Sequence, residues 1–237
     1  MMGIRDLKES NEKHYFKHKG EVGAEYDGGL RDMFPLAPFV ISGGTNTERY
    51  YFIHVNDLSQ KYKFNLRPEY FGDESAYIDI FPKKIEEIMS KNTDAKIFCV
   101  FDMDTVHKYG QMEKHEEFIR SLKTEIENHN VVICDSLPSF EFWLLLHFVD
   151  YKGFLKNYSQ VSGILSPHLK PYFKSVDKKF KKLIKSKKYL KDSTWVKKLL
   201  EEGRLDLAIE RAKLCIERTF QDEVCYSYSN VFKAFED

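Results

Sequence analysis

The chain has 237 residues, of which 42% are hydrophobic and 15% aromatic, and its 37 Lys and Arg residues balance 37 Asp and Glu residues. This length and apolar content support one large domain, or a domain with an appendage, around a substantial core. No apolar run reaches the roughly eighteen residues of a membrane-spanning helix, and residues 1–9 lack the apolar stretch of a signal peptide. The four cysteines show no CxxC spacing. We therefore expect a protein of the reducing cytoplasm that is not attached to a membrane.

The charge is unevenly distributed along the chain. Residues 152–198 contain fourteen Lys against only Asp177 and Asp192, so the remainder is acidic. A basic segment of this kind predicts a face for phosphate backbones, and it is equally typical of ordinary solvated helix faces. Both interpretations stay open. The candidate nucleic-acid contacts within the segment are Lys178, Lys181, Lys182 and Lys185.

The first elements lead from a polar segment into a strand and a helix. Residues 1–36 are polar and broken by glycines, which predicts a lead-in of turns. Residues 38–41 form a short apolar run that ends at a Gly-Gly pair, which predicts a buried strand followed by a turn. Thr45 and Glu48 have the spacing of a capping box, so we expect a helix to begin there.

Apolar runs and helical patterns then alternate. Residues 61–80 are ambiguous and favour one or two strands, and residues 82–90 predict a helix. Residues 96–100 are an apolar run, residues 112–128 have helical spacing, and residues 131–134 predict another buried strand. This alternation predicts an α/β fold with a mainly parallel sheet covered by helices on both faces.

The last third of the chain shows helical patterns without strand signals. An intensely apolar helix is predicted at residues 140–149, and Lys-rich helices follow it. We therefore predict three parts: a lead-in at residues 1–36, an α/β domain at residues 37–150, and a Lys-rich helical extension at residues 151–237 that packs on the sheet.

Asp102 and Asp104 directly follow the apolar run at residues 96–100. Side chains two residues apart point to the same side of an extended chain, so we expect both carboxylates to leave the strand end together. Two such carboxylates repel each other, and a divalent cation stabilises both as anions. The same pattern also occurs where one Asp caps a following helix. The metal interpretation predicts phosphoryl-transfer chemistry with Mg²⁺ or Mn²⁺, because hard oxygen ligands do not favour zinc.

Three segments in order resemble a known family. They are residues 40–52, 100–104 and 136–148, which read VISGGTNTERYYF, VFDMD and SLPSFEFWLLLHF. These segments resemble the RloB-like family, whose core is similar to the TOPRIM domain of topoisomerases, primases and OLD-type nucleases. The third segment is the most specific of the three.

The resemblance implies an α/β sheet with metal-binding carboxylates at the carboxyl ends of its strands. Asp102 and Asp104 fall on the family's aspartate pair, and Glu141 falls on its glutamate in the helix after the fourth strand. The family also implies cleavage of nucleic acid in bacterial anti-phage or abortive-infection loci, beside an ATPase partner of AAA or ABC type.

Gly43 departs from the family pattern. The first strand of the family ends in a Glu-Gly pair, and here the corresponding residues are Gly43 and Gly44. A glycine can supply neither a metal ligand nor a general base. Either the chain is a degenerate member, or it was altered, or another carboxylate substitutes. Glu48 is the nearest substitute in sequence, although its simpler role is the capping box.

Other candidate residues are weaker. Gly43 and Gly44 precede a helix and could hold a phosphate through backbone N–H groups, and His107 could reach one. His147 lies within an apolar helix face and is more simply a hydrogen-bonded core residue. Ser139 is a natural N-cap for the helix that carries Glu141.

Three functions are consistent with these features. The leading hypothesis is a Mg²⁺- or Mn²⁺-dependent nuclease of a phage-defence system, impaired where Gly43 replaces the expected Glu. The alternative is a non-catalytic subunit that senses nucleic acid or nucleotides beside the ATPase. A metal-dependent phosphotransferase of small nucleotides is the third.

Overall fold

A computed structural model describes residues 37–44, 46–67, 77–108, 110–173, 186–222 and 225–236. Its centre is a five-stranded sheet in the order β2-β1-β3-β4-β5. The first four strands run parallel to one another, and β5 is antiparallel to β4. The strands are β1 (Phe39–Ser42), β2 (Asn65–Arg67), β3 (Ile97–Asp102), β4 (Val131–Leu137) and β5 (Tyr228–Ser229).

Helices cover both faces of this sheet in the described part of the chain. The helices before β4 are α1 (Thr47–Leu58), α2 (Tyr77–Met89), α3 (Met103–Lys108), α4 (Met112–Ser121) and α5 (Lys123–Glu127). Those after β4 are α6 (Glu141–Leu146), α7 (Tyr158–Leu169), α8 (Lys187–Leu190), α9 (Thr194–Leu200) and α10 (Arg204–Asp222). Two short 3-10 helices, Lys170–Tyr172 and Val231–Phe235, complete the set.

Alternate residues of the central strands supply two separate hydrophobic cores. In β3, Phe98 and Val100 face the core that α1, α6, α7, α9 and α10 cover. Ile97, Cys99 and Phe101 face the core that α2, α3 and α4 cover. Because both faces are buried, the strand reads as a continuous apolar run. The predicted α/β class, with a mainly parallel sheet covered by helices, is confirmed.

The helical part of the chain after α6 packs directly on the sheet. Its α7, α9 and α10 share one core with β1, β3 and α6. The Arg218 guanidinium of α10 donates two hydrogen bonds, of 2.8 and 3.1 Å, to the Asp150 carboxylate. Arg211 donates a hydrogen bond of 2.7 Å to the Leu146 carbonyl at the end of α6. These contacts fix α10 against the α6 end.

Several predicted boundaries are wrong. The helix predicted from residue 82 begins at Tyr77, so residues 77–80 belong to a helix and not to a strand. The single helix predicted at residues 112–128 is two helices, α4 and α5, separated at Leu122. The strand β5 was not predicted, because a run of two residues carries no alternation pattern.

The buried side chain of His147 makes the stability of the folded protein depend on pH in the acid range. Its Nδ1 lies 3.0 Å from the Trp143 carbonyl oxygen, which confirms a hydrogen-bonded core histidine, and burial lowers its pKa to about 3. The unfolded chain binds a proton below about pH 6.5, whereas the folded chain does so only near pH 3, so stability falls as pH falls through that window. From pH 7 to pH 4 we expect a loss of roughly 3 kcal/mol from this residue.

Urea unfolding at pH 7, 5.5 and 4 checks this expectation. The variant His147→Leu should lose less stability between pH 7 and pH 4 than the wild type. His129 is exposed and has a positive φ of 61°, a conformation that asparagine tolerates. His129→Asn should therefore keep the wild-type dependence. Equal slopes for the wild type and His147→Leu would show that acid stability is set by other groups.

Candidate active site at the carboxyl edge of the sheet

Three neighbouring parallel strands end at the same edge of the sheet. β1 ends at Ser42, which pairs with Val100, while β3 ends at Asp102, which pairs with Ser136 of β4. The chain then enters the helices α1, α3 and α6. The first turns of three helices therefore lie at the carboxyl ends of the strands, where open α/β sheets bind ligands. We call this region the carboxyl edge.

Asp102 and Asp104 lie at this edge, but not in an extended chain. Asp102 is the last residue of β3, while Asp104 is the second residue of α3. The premise that both leave one extended strand is therefore wrong, because the helix begins at Met103. Both residues are partly exposed.

The β4–α6 connection holds the backbone around the aspartates. Asp102 Oδ1 accepts a hydrogen bond of 2.7 Å from the Phe140 N–H. The Asp104 N–H donates to the Pro138 carbonyl at 3.0 Å. Asp104 also lies in the first turn of a helix, where the helix dipole stabilises a carboxylate. The two bonds therefore fix the aspartates relative to the loop that precedes Glu141.

Glu48 turns back onto the loop after β1. It is 7% exposed and is the second residue of α1. A methyl group placed on Gly44 would lie only 2.1 to 2.3 Å from the Glu48 carboxylate atoms. The carboxylate therefore occupies the space that any side chain at Gly44 would take.

The structure describes only part of the capping box that was predicted at this helix. Helix α1 begins at Thr47 after Asn46, and the Asn46 side chain makes no cap hydrogen bond. Glu48 is then the second helical residue, whereas a box opened by Thr45 would make it the third. Thr45 itself lies outside the described residues.

Glu141 is a buried carboxylate that joins two helix starts. It is 1% exposed. Its Oε1 accepts a hydrogen bond of 3.0 Å from the Thr47 hydroxyl, and its Oε2 accepts one of 2.8 Å from the Ser139 hydroxyl. Ser139 is therefore not the N-cap that was predicted, since it donates to Glu141 instead. Hydroxyl donors of this kind stabilise a buried carboxylate.

Removing one of these donors should destabilise the protein. Thr47→Val deletes the hydroxyl that donates to Glu141 Oε1, and a lost hydrogen bond to a charged group costs about 1.5 to 3 kcal/mol. Thermal and urea unfolding measure the loss. Thr47→Ser keeps the hydroxyl and should retain most of the stability. A Thr47→Val protein as stable as the wild type, with a loss only in Thr47→Ser, would mean that the methyl group of Thr47, and not its hydroxyl, is the stabilising part.

Only some of the candidate phosphate-binding residues lie within the described part of the chain. His107 is exposed on α3. The Gly43 N–H donates to the Val100 carbonyl at 2.7 Å, so this amide is already used within the sheet edge. Lys178, Lys181, Lys182 and Lys185 lie outside the described residues.

Asp135 and its hydrogen-bond partners were not predicted from the sequence. Asp135 of β4 is 8% exposed and accepts hydrogen bonds from the Tyr228 hydroxyl at 2.7 Å and from the Asn230 amide at 2.8 Å. Burial and the Asp135 charge raise the pKa of Tyr228. These bonds attach β5 to the sheet. The polar sequence around Tyr228 carries no signal for this contact, which spans 93 residues.

The donor set at the carboxyl edge suits a particular kind of metal ion. Within the described ranges, no three His, Cys, Asp or Glu side chains are grouped so that they could hold a metal ion together. Asp102 and Asp104 remain as partly exposed oxygen donors. Two carboxylates fit Mg²⁺ or Mn²⁺, which complete their shells with water and substrate phosphate. They do not fit a metal enclosed by protein ligands alone.

The fold and this edge define an α/β protein with acidic residues at the carboxyl ends of a parallel sheet. The chain belongs to the RloB-like protein family, which it matches over residues 39–237. No curated protein and no solved structure matches the chain. No helix in the described part of the chain has both the length and the apolar character to cross a membrane.

Proposed function

We propose that this protein is a divalent-metal-dependent nuclease that cleaves phosphodiester bonds in DNA or RNA. The observation that carries the proposal is the position of Asp102 and Asp104 at the carboxyl end of the central strand β3. Their partial exposure supports access for a metal and a phosphate. Membership of the RloB-like family agrees with this proposal.

Each acidic residue has a distinct role in the proposal. Asp102 and Asp104 hold Mg²⁺ or Mn²⁺, which when bound positions the scissile phosphate and lowers the pKa of the attacking water. Glu48 substitutes for the carboxylate that is missing at Gly43, because its side chain lies against the neighbouring Gly44. On the family resemblance, Glu141 would orient a metal-bound water. Its burial and two hydroxyl partners favour a positioning role instead.

The proposed setting follows from the family resemblance. We propose that the protein acts in the cytoplasm in bacterial phage defence, beside an ATPase subunit of AAA or ABC type. The Lys-rich segment at residues 152–198 would contact the nucleic-acid backbone, which attracts Lys without regard to sequence.

A non-catalytic role is the second candidate. In it, the chain senses nucleic acid or nucleotides as a subunit of the ATPase complex. Two observations favour it: Gly43 carries no carboxylate, and the described residues contain no group of three metal-binding side chains.

One cleavage assay separates the two candidates. Duplex DNA, single-stranded DNA and tRNA are incubated with the protein in Mg²⁺ or Mn²⁺, with EDTA, and with the Asp102→Asn/Asp104→Asn variant. We expect cleavage that requires the metal and that the double variant loses. Absence of cleavage by the wild type at high protein concentration, with binding of the same nucleic acids retained, would support the sensing subunit.

A further inference from the structure

An exposed phenylalanine lies beside β5, in the segment that connects α6 to α7. The Phe154 side chain is 52% exposed. Within the described ranges, the other exposed large hydrophobic residues are Met112, Leu207 and Phe220, and all three belong to helices. Single exposed apolar side chains are common on protein surfaces. Exposure alone therefore assigns Phe154 no role, and its position and neighbours have to decide.

Ser227 holds the backbone on both sides of Phe154. The Ser227 N–H donates to the Gly153 carbonyl at 2.9 Å, and the Ser227 hydroxyl accepts from the Leu155 N–H at 2.8 Å. Gly153 and Leu155 are the two chain neighbours of Phe154, and Leu155 is buried in the core. The fold therefore fixes this segment, while the ring between the two anchored residues remains exposed.

Ser227 also places Phe154 at the same edge of the sheet as the aspartates. The residue after Ser227 pairs with Leu137, the last residue of β4. The carbonyl of the following residue, Pro138, accepts the hydrogen bond from the Asp104 N–H. Each of these steps spans about 3 to 6 Å between Cα atoms, so Phe154 lies within about 25 Å of Asp104. Single-strand sites of about 4 to 16 nucleotides extend over such a distance.

Lysines flank Phe154 on both sides in the chain. Lys156 is exposed and has no acidic side chain within ion-pair distance among the described residues. Lys152 is 66% exposed and approaches Asp150 only to 4.0 Å. Arg218 already matches the Asp150 charge, since its hydrogen bonds are the main reason that the pKa of Asp150 lies below its usual range. The segment therefore keeps positive charge that a phosphate backbone can use.

We infer that Phe154 stacks on an unpaired base of single-stranded nucleic acid, while Lys152 and Lys156 contact the phosphates of that strand. Every base has a flat π-face, so an exposed aromatic ring between cationic side chains binds single strands without regard to sequence. A duplex keeps its bases stacked inside the helix and offers this ring no free face. The inference rests on the nucleic-acid substrate of the proposed function, and it adds that the substrate is unpaired where it passes Phe154.

Fluorescence anisotropy in EDTA tests the inference, because the proposed cleavage needs a divalent ion and cannot proceed there. The probes are a labelled oligothymidylate, the corresponding oligouridylate and a dA·dT duplex of equal length. We expect the full chain to bind both single strands. Phe154→Ala should weaken that binding at least about fivefold, because stacking on one aromatic side chain is lost. Phe154→Trp keeps a ring and should bind within about twofold of the wild type.

Phe220→Ala is the matched control. Phe220 is also exposed, and it lies two residues after Arg218 on α10, so it points away from the segment that Arg218 contacts. It should leave single-strand binding within about twofold. Duplex binding should be the same for the wild type and Phe154→Ala, whereas Lys152→Gln/Lys156→Gln should weaken the binding of single strands and duplex alike. Circular dichroism checks that each variant is folded.

Three results would overturn the inference. They are absence of single-strand binding by the wild type, equal single-strand affinity of the wild type and Phe154→Ala, and equal weakening by Phe154→Ala and Phe220→Ala. The second result would indicate that the exposed ring contacts a protein partner instead.

Cleavage in Mg²⁺, measured separately, keeps this inference distinct from the nuclease proposal. A protein that cleaves, but binds single strands equally well without the Phe154 ring, would disprove only the stacking. A protein that needs the ring for binding, but does not cleave, would disprove only the nuclease.

Discussion

Asp102→Asn is expected to lower metal-dependent cleavage by about a thousandfold, which corresponds to about 4 kcal/mol in the barrier, while the fold is retained. Asparagine is nearly isosteric, and its Oδ1 can still accept the hydrogen bond that the Phe140 N–H donates at 2.7 Å. What the variant loses is the negative charge that holds a divalent cation. Initial cleavage rates, with Mn²⁺ affinity by calorimetry, measure this loss.

The comparison variants separate the site from a general charge effect. Asp104→Asn should also lose activity, although Asp104 lies in a helix and not at a strand end. Asp94→Asn makes the same change at an exposed position before β3 and should keep the wild-type rate. Wild-type cleavage and Mn²⁺ affinity in Asp102→Asn would exclude the aspartate pair as the metal site.

The central strands were predictable because of their burial. β1, β3 and β4 are covered on both faces, so apolar residues occur at consecutive positions and not alternately. The position of Asp102 follows from the same pattern, since the polar residue ends the apolar run of β3. That part of the site could therefore be inferred from local sequence alone.

The start of α2 shows where local rules fail. Residues 77–80 are rich in aromatic and β-branched residues, and Pro82 would ordinarily begin a helix or interrupt it. In the structure Pro82 lies inside α2. Phe81, Ile85 and Ile88 of this helix are 0 to 3% exposed. Burial of this apolar face outweighs the one backbone hydrogen bond that Pro82 cannot donate.

The detailed arrangement of the site could not be predicted, because its contacts are distant in sequence. Thr47 and Glu141 are 94 residues apart, and Asp102 and Phe140 are 38 apart. No periodic pattern links such positions. The sequence identified Glu141 through the family resemblance, but only the structure revealed that both of its oxygens accept hydroxyl hydrogen bonds.

Glu48→Gln is the second change with a large expected effect, because it tests whether Glu48 substitutes for the carboxylate missing at Gly43. A general base or acidic ligand typically contributes between about a hundredfold and ten-thousandfold in rate. We expect Glu48→Gln to lower cleavage within that range. Its thermal midpoint serves as the control for folding.

Gly44→Ala tests the position of the Glu48 carboxylate without changing Glu48 itself. The added methyl group would lie 2.1 Å from a Glu48 oxygen, so the flexible end of that side chain must move away. Cleavage should fall about as far as in Glu48→Gln, and stability should fall as well, because the displaced Glu48 carboxylate is buried. A Gly44→Ala protein with full activity would show that the position of the Glu48 carboxylate does not matter.

Restoring a carboxylate at position 43 provides the decisive comparison. If Glu48 supplies the missing group, adding Gly43→Glu to Glu48→Gln should recover much of the lost cleavage, because a carboxylate again follows β1. If Glu48→Gln alone cleaves at the wild-type rate, Glu48 is structural. In that case, the Gly43→Glu variant of the otherwise unchanged chain is informative. If it cleaves faster than the wild type, the rest of the site is intact and only the carboxylate after the first strand is missing. If neither the unchanged chain nor the Gly43→Glu variant cleaves nucleic acid, the sensing subunit is favoured, since restoring the first-strand carboxylate would then not restore the chemistry.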